Sequence, residues 1–222
     1  MKYYPIFLRV AQRPCVVIGG GRVAQQKVAS LLKAKARITV ISPDVTPMLA
    51  TLARTHRMTH RARAYLTGDL DGFFLAYAAT GDQRLHMQIA ADAKRGSVLL
   101  NVVDQPDLCD FIVPSVMQRG ELIIATSTSG ASPAMARRIR QELEATYGTE
   151  YSIALELLGR LRERFASVSL SAAERQRIFG ALLDSPLLEY LRAGRTGDVD
   201  RLLATAVGGG VSLASLGLEA AS

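Results

Sequence analysis

The chain has 222 residues, 49% of them apolar, which is enough to bury a sizeable core, and no run of 18 apolar residues reads as a membrane span. Two cysteines, Cys15 and Cys109, with no CxxC or Cys/His cluster, exclude a disulfide scaffold and give no reason to expect a structural metal. The net charge of +7 lies in one half: residues 1–113 carry 15 Lys and Arg against 8 Asp, whereas residues 114–222 carry 12 Arg against 12 acids. That field favours an anionic partner such as phosphate, a polycarboxylate or nucleic acid, unless it is only a basic surface.

The opening "MKYYPIFLRVAQRP" has too short an apolar patch for a signal peptide, so the cytoplasm is the expected compartment. "CVVI" at 15–18 then reads as a buried strand. Val23, Val28, Leu31 and Leu32 mark one face of a helix over 23–34, and "ARITVIS" at 36–42 is a second strand. Together they predict a right-handed βαβ unit. A helix is expected over 48–58, a strand within 71–80, a helix over 84–96 ending at Gly96, and a core strand over 97–103. Such alternation predicts a parallel sheet covered by helices.

After Pro114 the pattern changes. A strand within 120–130 runs into a polar turn, and a helix follows with Ser132 as N-cap, Pro133 at its first position and Gly148 as terminator. Helices are expected over 151–166 and 171–193, the second opened by a capping box of Ser171 and Glu174. The glycine-rich "GGGVSLASLGLEAAS" reads as frayed.

Gly19, Gly21 and Ala24 fit G-x-G-x-x-A directly between a strand and a helix. Gly19 permits the tight turn, Gly21 removes a side chain that would block a pyrophosphate, and Ala24 allows close helix–strand packing. The phosphates would lie over the helix N-terminus. A purely structural turn is the competing reading. The acid that usually holds the ribose at the end of the second strand is missing: Ser42 stands there, with Asp44 two residues on. No Arg follows at once to hold a 2′-phosphate, so NAD is favoured over NADP. Arg22 and Lys27 lie near the turn and could equally be solvated.

"LLNVVDQPDLCDFIVPS" at 99–115 puts Asn101 and Asp104 at the carboxyl end of a core strand, where open parallel sheets bind ligands. Pro106 stiffens the backbone beyond them. Asp104 could be a general base or merely cap the turn, and the residues alone leave both open.

"YPIFL" (4–8), "VVIGGGRVAQQKVASLL" (16–32), "TVISP" (39–43), "AAT" (78–80), "NVVDQPDLCDFIVPS" (101–115) and "ATSTSGASPAMARRIRQELE" (125–144), in this order and spacing, resemble the precorrin-2 dehydrogenase / sirohydrochlorin ferrochelatase family, the NAD-dependent module of sirohaem synthesis, over residues 3–165. The resemblance implies oxidation of precorrin-2 to sirohydrochlorin with NAD as hydride acceptor. In some members the module also inserts ferrous iron into the product. It further implies a homodimer formed through the second half, and a catalytic role in both reactions for Asp104. Cofactor contacts are expected at Gly19, Gly20, Gly21, Arg22, Val23, Ala24, Ser42, Pro43, Thr80, Asn101 and Val102.

Tetrapyrrole contacts are expected at Asp104 and at Ser127, Thr128 and Ser129, a turn where some members carry a serine that can be phosphorylated; Thr128 is the nearest match. Arg137, Arg138 and Arg140 are candidates for the substrate carboxylates, although three arginines within four helical positions cannot share one face. His56, His60 and His86 are scattered and suggest no metal site. With no Trp and no interleaved basic–aromatic motif, nucleic acid is not an expected partner, nor is a membrane. The alternative of another class is a nucleotide-sensing regulatory domain without catalysis.

The expected fold class is α/β. An N-terminal Rossmann-like parallel sheet with helices on both faces occupies 1–113, and a linking strand and helix occupy 114–150. A smaller, mainly helical dimerisation region follows over 151–206, then a flexible tail over 207–222.

Overall fold

The computed structural model describes residues 1–218, which divide into two units, the first Met1–Val113 and the second beginning at Pro114. In the first, β1 (Pro14–Ile18), α1 (Arg22–Lys33), β2 (Arg37–Ile41), α2 (Pro47–Arg54), β3 (Thr59–Arg61), β4 (Leu75–Ala78), α3 (Gln83–Gly96) and β5 (Leu99–Val102) follow in chain order. The strands form one sheet in the order β3-β2-β1-β4-β5, parallel at every pairing.

β1 lies at the centre, and its side chains alternate between two cores. Cys15 and Val17 pack with Ala24, Val28 and Leu31 of α1 and Leu49 and Leu52 of α2. Val16 and Ile18 pack with Ile89 and Ala93 of α3 on the other face. Helices therefore cover both faces, which is why the strand is apolar throughout instead of alternating.

Local chemistry sets the helix ends. Thr46 caps α2 by accepting the Leu49 N–H at 3.4 Å, and Asp82 caps α3 by accepting those of Arg84 and Leu85. Helix α2 stops at Arg54, short of the expected 58, because His56 turns left-handed at φ 54°. The three-residue β3, which the sequence reading missed, follows. At the end of α3 the reversal falls on Ser97 at φ 52°, one residue beyond the Gly96 expected to make it. The Val98 N–H reaches back to the Ala93 carbonyl at 2.9 Å, and Val98 is buried. Burial of the residue after the reversal sets this end of the helix, as in a Schellman motif.

The second unit opens with an antiparallel hairpin of β6 (Ser115–Arg119) and β7 (Leu122–Thr126); β6 was not anticipated. Helix α4 (Pro133–Thr146) lies against it, and the Thr126 hydroxyl donates to the Ala136 carbonyl at 3.3 Å. Ser132 caps α4 through the Met135 N–H. α5 (Glu150–Ala166), α6 (Ala172–Leu183), α7 (Leu187–Arg192) and α8 (Thr196–Val207) form a separate helical core. The capping box of Ser171 and Glu174 is present. The single helix expected over 171–193 breaks at Pro186, whose ring disfavours helical backbone in the residue before it.

Glu150 is buried, and Arg192 donates to it at 2.7 Å, tying α5 to α7. Burial pushes this carboxyl up, but hydrogen bonds from Arg192 and from backbone amides outweigh it and hold the group below its usual range.

Segment 207–218 departs from the expected flexible tail. Val211, Leu213, Leu216 and Leu218 are buried in the helical core, and the Leu213 N–H donates to Asp200 at 2.7 Å. Apolar residues at two- and three-residue steps between glycines let an irregular strip cover α5 and α8, a pattern with no helical or strand period. Residues 219–222 lie outside the described residues. Leu213→Ala should cost about 2–3 kcal/mol, the lower range for a buried Leu→Ala change. Urea unfolding checks this, and an unchanged midpoint would mean that the segment carries no stability. No helix among the described residues is long and apolar enough to cross a membrane.

Candidate functional site

The three glycines after β1 have different physical reasons. Gly19 has φ +113°, and a Cβ there would lie 2.3 Å from the Ala79 carbonyl oxygen at the end of β4. At Gly20 a Cβ would lie 1.9 Å from the Asp44 carbonyl oxygen, while the Gly20 carbonyl accepts the Thr46 N–H at 3.0 Å. Gly19 and Gly20 are thus demanded by the packing of the chain itself. Gly21 is not: a Cβ there meets nothing within 4 Å, and its φ is −79°.

Gly21 is the N-cap of α1, which has no side-chain cap and no acid in its first turn. Gln25 N–H bonds to the Gly21 carbonyl at 3.0 Å, so the N–H groups of Arg22, Val23 and Ala24 precede the first helical bond and remain available. An open cradle over a positive helix end fits a dinucleotide pyrophosphate. Ala24 is fully buried, as close helix–strand packing requires, and Arg22 and Val23 are exposed at the rim.

Ser42, just past β2, donates its N–H to the Arg61 carbonyl at 3.2 Å. Its own carbonyl lies 2.9 Å from His60 Nε2, which must carry the proton. The Ser42 hydroxyl lies beside Gly20, and Pro43 is exposed. Past β4, the Thr80 methyl faces Gly19, and its hydroxyl lies 3.1 Å from Nε2 of buried His86. Nδ1 of that histidine has no hydrogen-bond partner among the described residues. Ser42 and Thr80 are therefore both neighbours of the glycine turn.

At the end of β5 the roles divide. Asn101 is buried, and its Nδ2 donates to the Phe111 carbonyl at 2.9 Å. Its amide thereby holds the returning loop. Val102 is buried, with its N–H on the Cys109 sulfur at 3.1 Å. Asp104 is exposed, and its carboxylate has no hydrogen bond or ion pair among the described residues; its φ is +61°.

Lys27 of α1 is half-buried, with Nζ 5.2 Å from the centroid of the Tyr77 ring and no carboxylate partner among the described residues. Burial lowers its ammonium pKa, and the neighbouring Cys109 opposes that slightly.

The remaining candidates belong to the second unit. The Thr128 hydroxyl donates to the Ser132 carbonyl and accepts its N–H, each at 3.0 Å. The Ser127 hydroxyl accepts the N–H of Ser129, itself left-handed at φ 54°. Arg138 pairs with Glu142 at 2.8 Å and Arg140 pairs with Glu144. Arg137 is exposed and has no ion pair among the described residues.

A parallel sheet in this strand order, with a glycine turn ending its central strand and an open helix N-terminus beyond, defines a Rossmann-like dinucleotide-binding domain. Family comparisons agree. An NAD(P)-binding model matches residues 6–115. The sirohaem biosynthesis protein central model matches 119–146, and the sirohaem synthase dimerisation region matches 152–207. The chain belongs to the sirohaem-biosynthesis family that these three models describe in series.

It is 37% identical over 196 residues to a siroheme synthase of Nitrosomonas europaea, covering 88% of this chain and 41% of that protein. To one of Methylobacillus flagellatus it is 39% identical over 183 residues, covering 81% and 38%. The chain thus spans about two fifths of the length of these curated relatives. A solved structure titled SirC, precorrin-2 dehydrogenase, shares the fold, with a TM-score of 0.75 at 24% identity over 92% of this chain and 98% of the other.

Proposed function

We propose that this protein oxidises precorrin-2 to sirohydrochlorin with NAD as hydride acceptor, Asp104 serving as the general base. The observation that carries the reading is the exposed Asp104 carboxylate, without a partner among the described residues, just past the carboxyl end of β5, in the same sheet whose β1 leads into the open cradle of Gly21. The names of the siroheme synthase relatives and of the SirC structure support the substrate class.

NAD, when bound, supplies the hydride acceptor that no side chain can provide. The chain supplies the rest. The N–H groups of Arg22, Val23 and Ala24 hold the pyrophosphate, Ser42 meets the ribose without a carboxylate, and Thr80 lines the turn beside Gly19. Asp104 takes the proton lost as the ring carbon is oxidised, and its charge steadies cationic character developing in the macrocycle. Arg137, with no acidic partner among the described residues, is the strongest of the second unit's candidates for a substrate carboxylate.

The same Asp104 would accept pyrrole N–H protons if ferrous iron is inserted as a second substrate. The protein works as a homodimer, a reading supported by the dimerisation-region match and by the exposed apolar Val116 and Ile123 of the hairpin. Free Cys15 and Cys109 suit a reducing cytoplasm.

The test is an anaerobic absorbance assay with precorrin-2, with and without NAD, followed by ferrous iron. A sirohydrochlorin spectrum should grow only with NAD, and protein-dependent metal insertion after iron would add the chelatase. A folded protein that gives no NAD-dependent spectrum would turn the reading to nucleotide sensing.

A further inference from the structure

The turn that carries Asp104 is gripped by a thiol. Cys109 Sγ accepts the Val102 N–H at 3.1 Å, and it lies 3.2 Å from the Val102 carbonyl and 3.3 Å from the Gln105 carbonyl, the two oxygens its S–H can serve. Val102 and Gln105 are the residues that bracket the turn, whose own bond, from Gln105 N–H to the Val102 carbonyl, is long at 3.4 Å. Between them Asp104 holds φ +61°, a left-handed backbone that Asp tolerates better than most residues with a Cβ but that still lies outside the regions most residues occupy. Relaxation to negative φ would move the flanking carbonyls and swing the carboxylate away, and the sulfur contacts at both ends of the turn oppose that movement.

The strip beneath is fastened at two more points. Asn101 Nδ2 donates to the Phe111 carbonyl at 2.9 Å, and the Leu100 N–H donates to Asp110 Oδ2 at 2.9 Å. Cys109 is thereby held at the height of the turn. Burial raises its pKa, which keeps it a protonated donor at neutral pH.

We infer that Cys109 is a positioning residue for Asp104, its thiol fixing the left-handed turn and with it the direction in which the carboxylate meets the substrate. The inference rests on the proposed catalytic role of Asp104. Misplacing a reacting group by about 1 Å can cost on the order of 100-fold in rate, so the thiol's effect should appear in kcat.

The experiment compares wild type, Cys109→Ala, Cys109→Val and Cys109→Ser in the whole chain. It measures NAD affinity by titration, then kcat and KM with precorrin-2 under anaerobic conditions. Cys109→Ala should lower kcat by about 10- to 100-fold with NAD affinity within twofold of wild type. Cys109→Ser, which keeps a donor and an acceptor on a shorter arm, should recover part of that loss. Cys109→Val fills the volume without hydrogen bonds and answers the question should the alanine variant fail to fold.

A folded alanine or valine variant with wild-type kcat overturns the inference. So does a loss of NAD affinity parallel to the loss of kcat, which would mark general damage to β5. A wild type that binds NAD but never oxidises precorrin-2 refutes the parent reading, and the inference with it.

Discussion

Asp104→Asn should lower precorrin-2 turnover by about 100-fold or more while leaving the fold and the affinity for NAD unchanged, the range general acid–base groups contribute being roughly 10²–10⁴. The substitution keeps the size of the side chain but turns one acceptor oxygen into an NH2 donor, so it removes both the negative charge and the ability to take a proton. Nothing in the folded chain depends on the charge, because the carboxylate has no partner among the described residues and is exposed. Asparagine tolerates the left-handed backbone that Asp104 adopts at φ +61°. Stability should therefore stay within about 0.5 kcal/mol, as for surface changes generally.

Asp107→Asn is the control. Asp107 is an exposed acid in the following 3-10 turn and should leave turnover unaltered. Anaerobic kcat, urea midpoint and NAD titration measured together separate the possibilities. Turnover within threefold of wild type in Asp104→Asn would remove Asp104 from the chemistry and leave it a turn residue.

The parts of this fold that were legible in the sequence are those whose cause is local. Residues 14–41 showed their strand–helix–strand character because β1 is buried on both faces and α1 keeps Ala24, Val28 and Leu31 on one side. The caps at Ser132 and Ser171 were legible because a side chain bonds an amide three residues away. What stayed hidden depends on distant partners. Nothing near Gly20 announces that a carbonyl 24 residues later would collide with its Cβ. β3 has three residues, two of them exposed, and exists because β2 offers it a ladder. The tail's apolar residues have no period because the strip that buries them is irregular.

At the site the same division holds. The position of Asp104 was readable from a strand end and a proline, but its left-handed backbone and the sulfur that grips it were not. Asn101 was read as a cofactor contact from its place at a strand end, and its amide bond to the Phe111 carbonyl, ten residues on, could not be read from the sequence.

Gly20→Ala and Gly21→Asp should fail in opposite ways, although the residues are adjacent. A methyl group at Gly20 would sit 1.9 Å from the Asp44 carbonyl oxygen, an atom of the backbone that cannot swing aside. Forced overpacking of this kind costs about 1–3 kcal/mol or more, and the urea midpoint should fall accordingly. At Gly21 a Cβ meets no atom of the described residues within 4 Å. An aspartate would stand at the N-cap of α1, where a carboxylate can accept free N–H groups and oppose the helix dipole favourably. The variant should thus unfold no earlier than wild type, and somewhat later if the cap forms.

Its cofactor binding should nonetheless collapse, because the carboxylate would occupy the cradle and confront the pyrophosphate with like charge. A loss of about 100-fold in affinity corresponds to about 2.7 kcal/mol, well within what displacing both phosphates from a helix end would forfeit. Calorimetric titration with NAD beside urea unfolding of both variants gives the decisive pair of numbers. Stability kept with binding lost would assign the open cradle to the pyrophosphate. Stability and NAD affinity both kept in Gly21→Asp would mean that the cofactor lies elsewhere, and that the third glycine answers to nothing the dinucleotide requires.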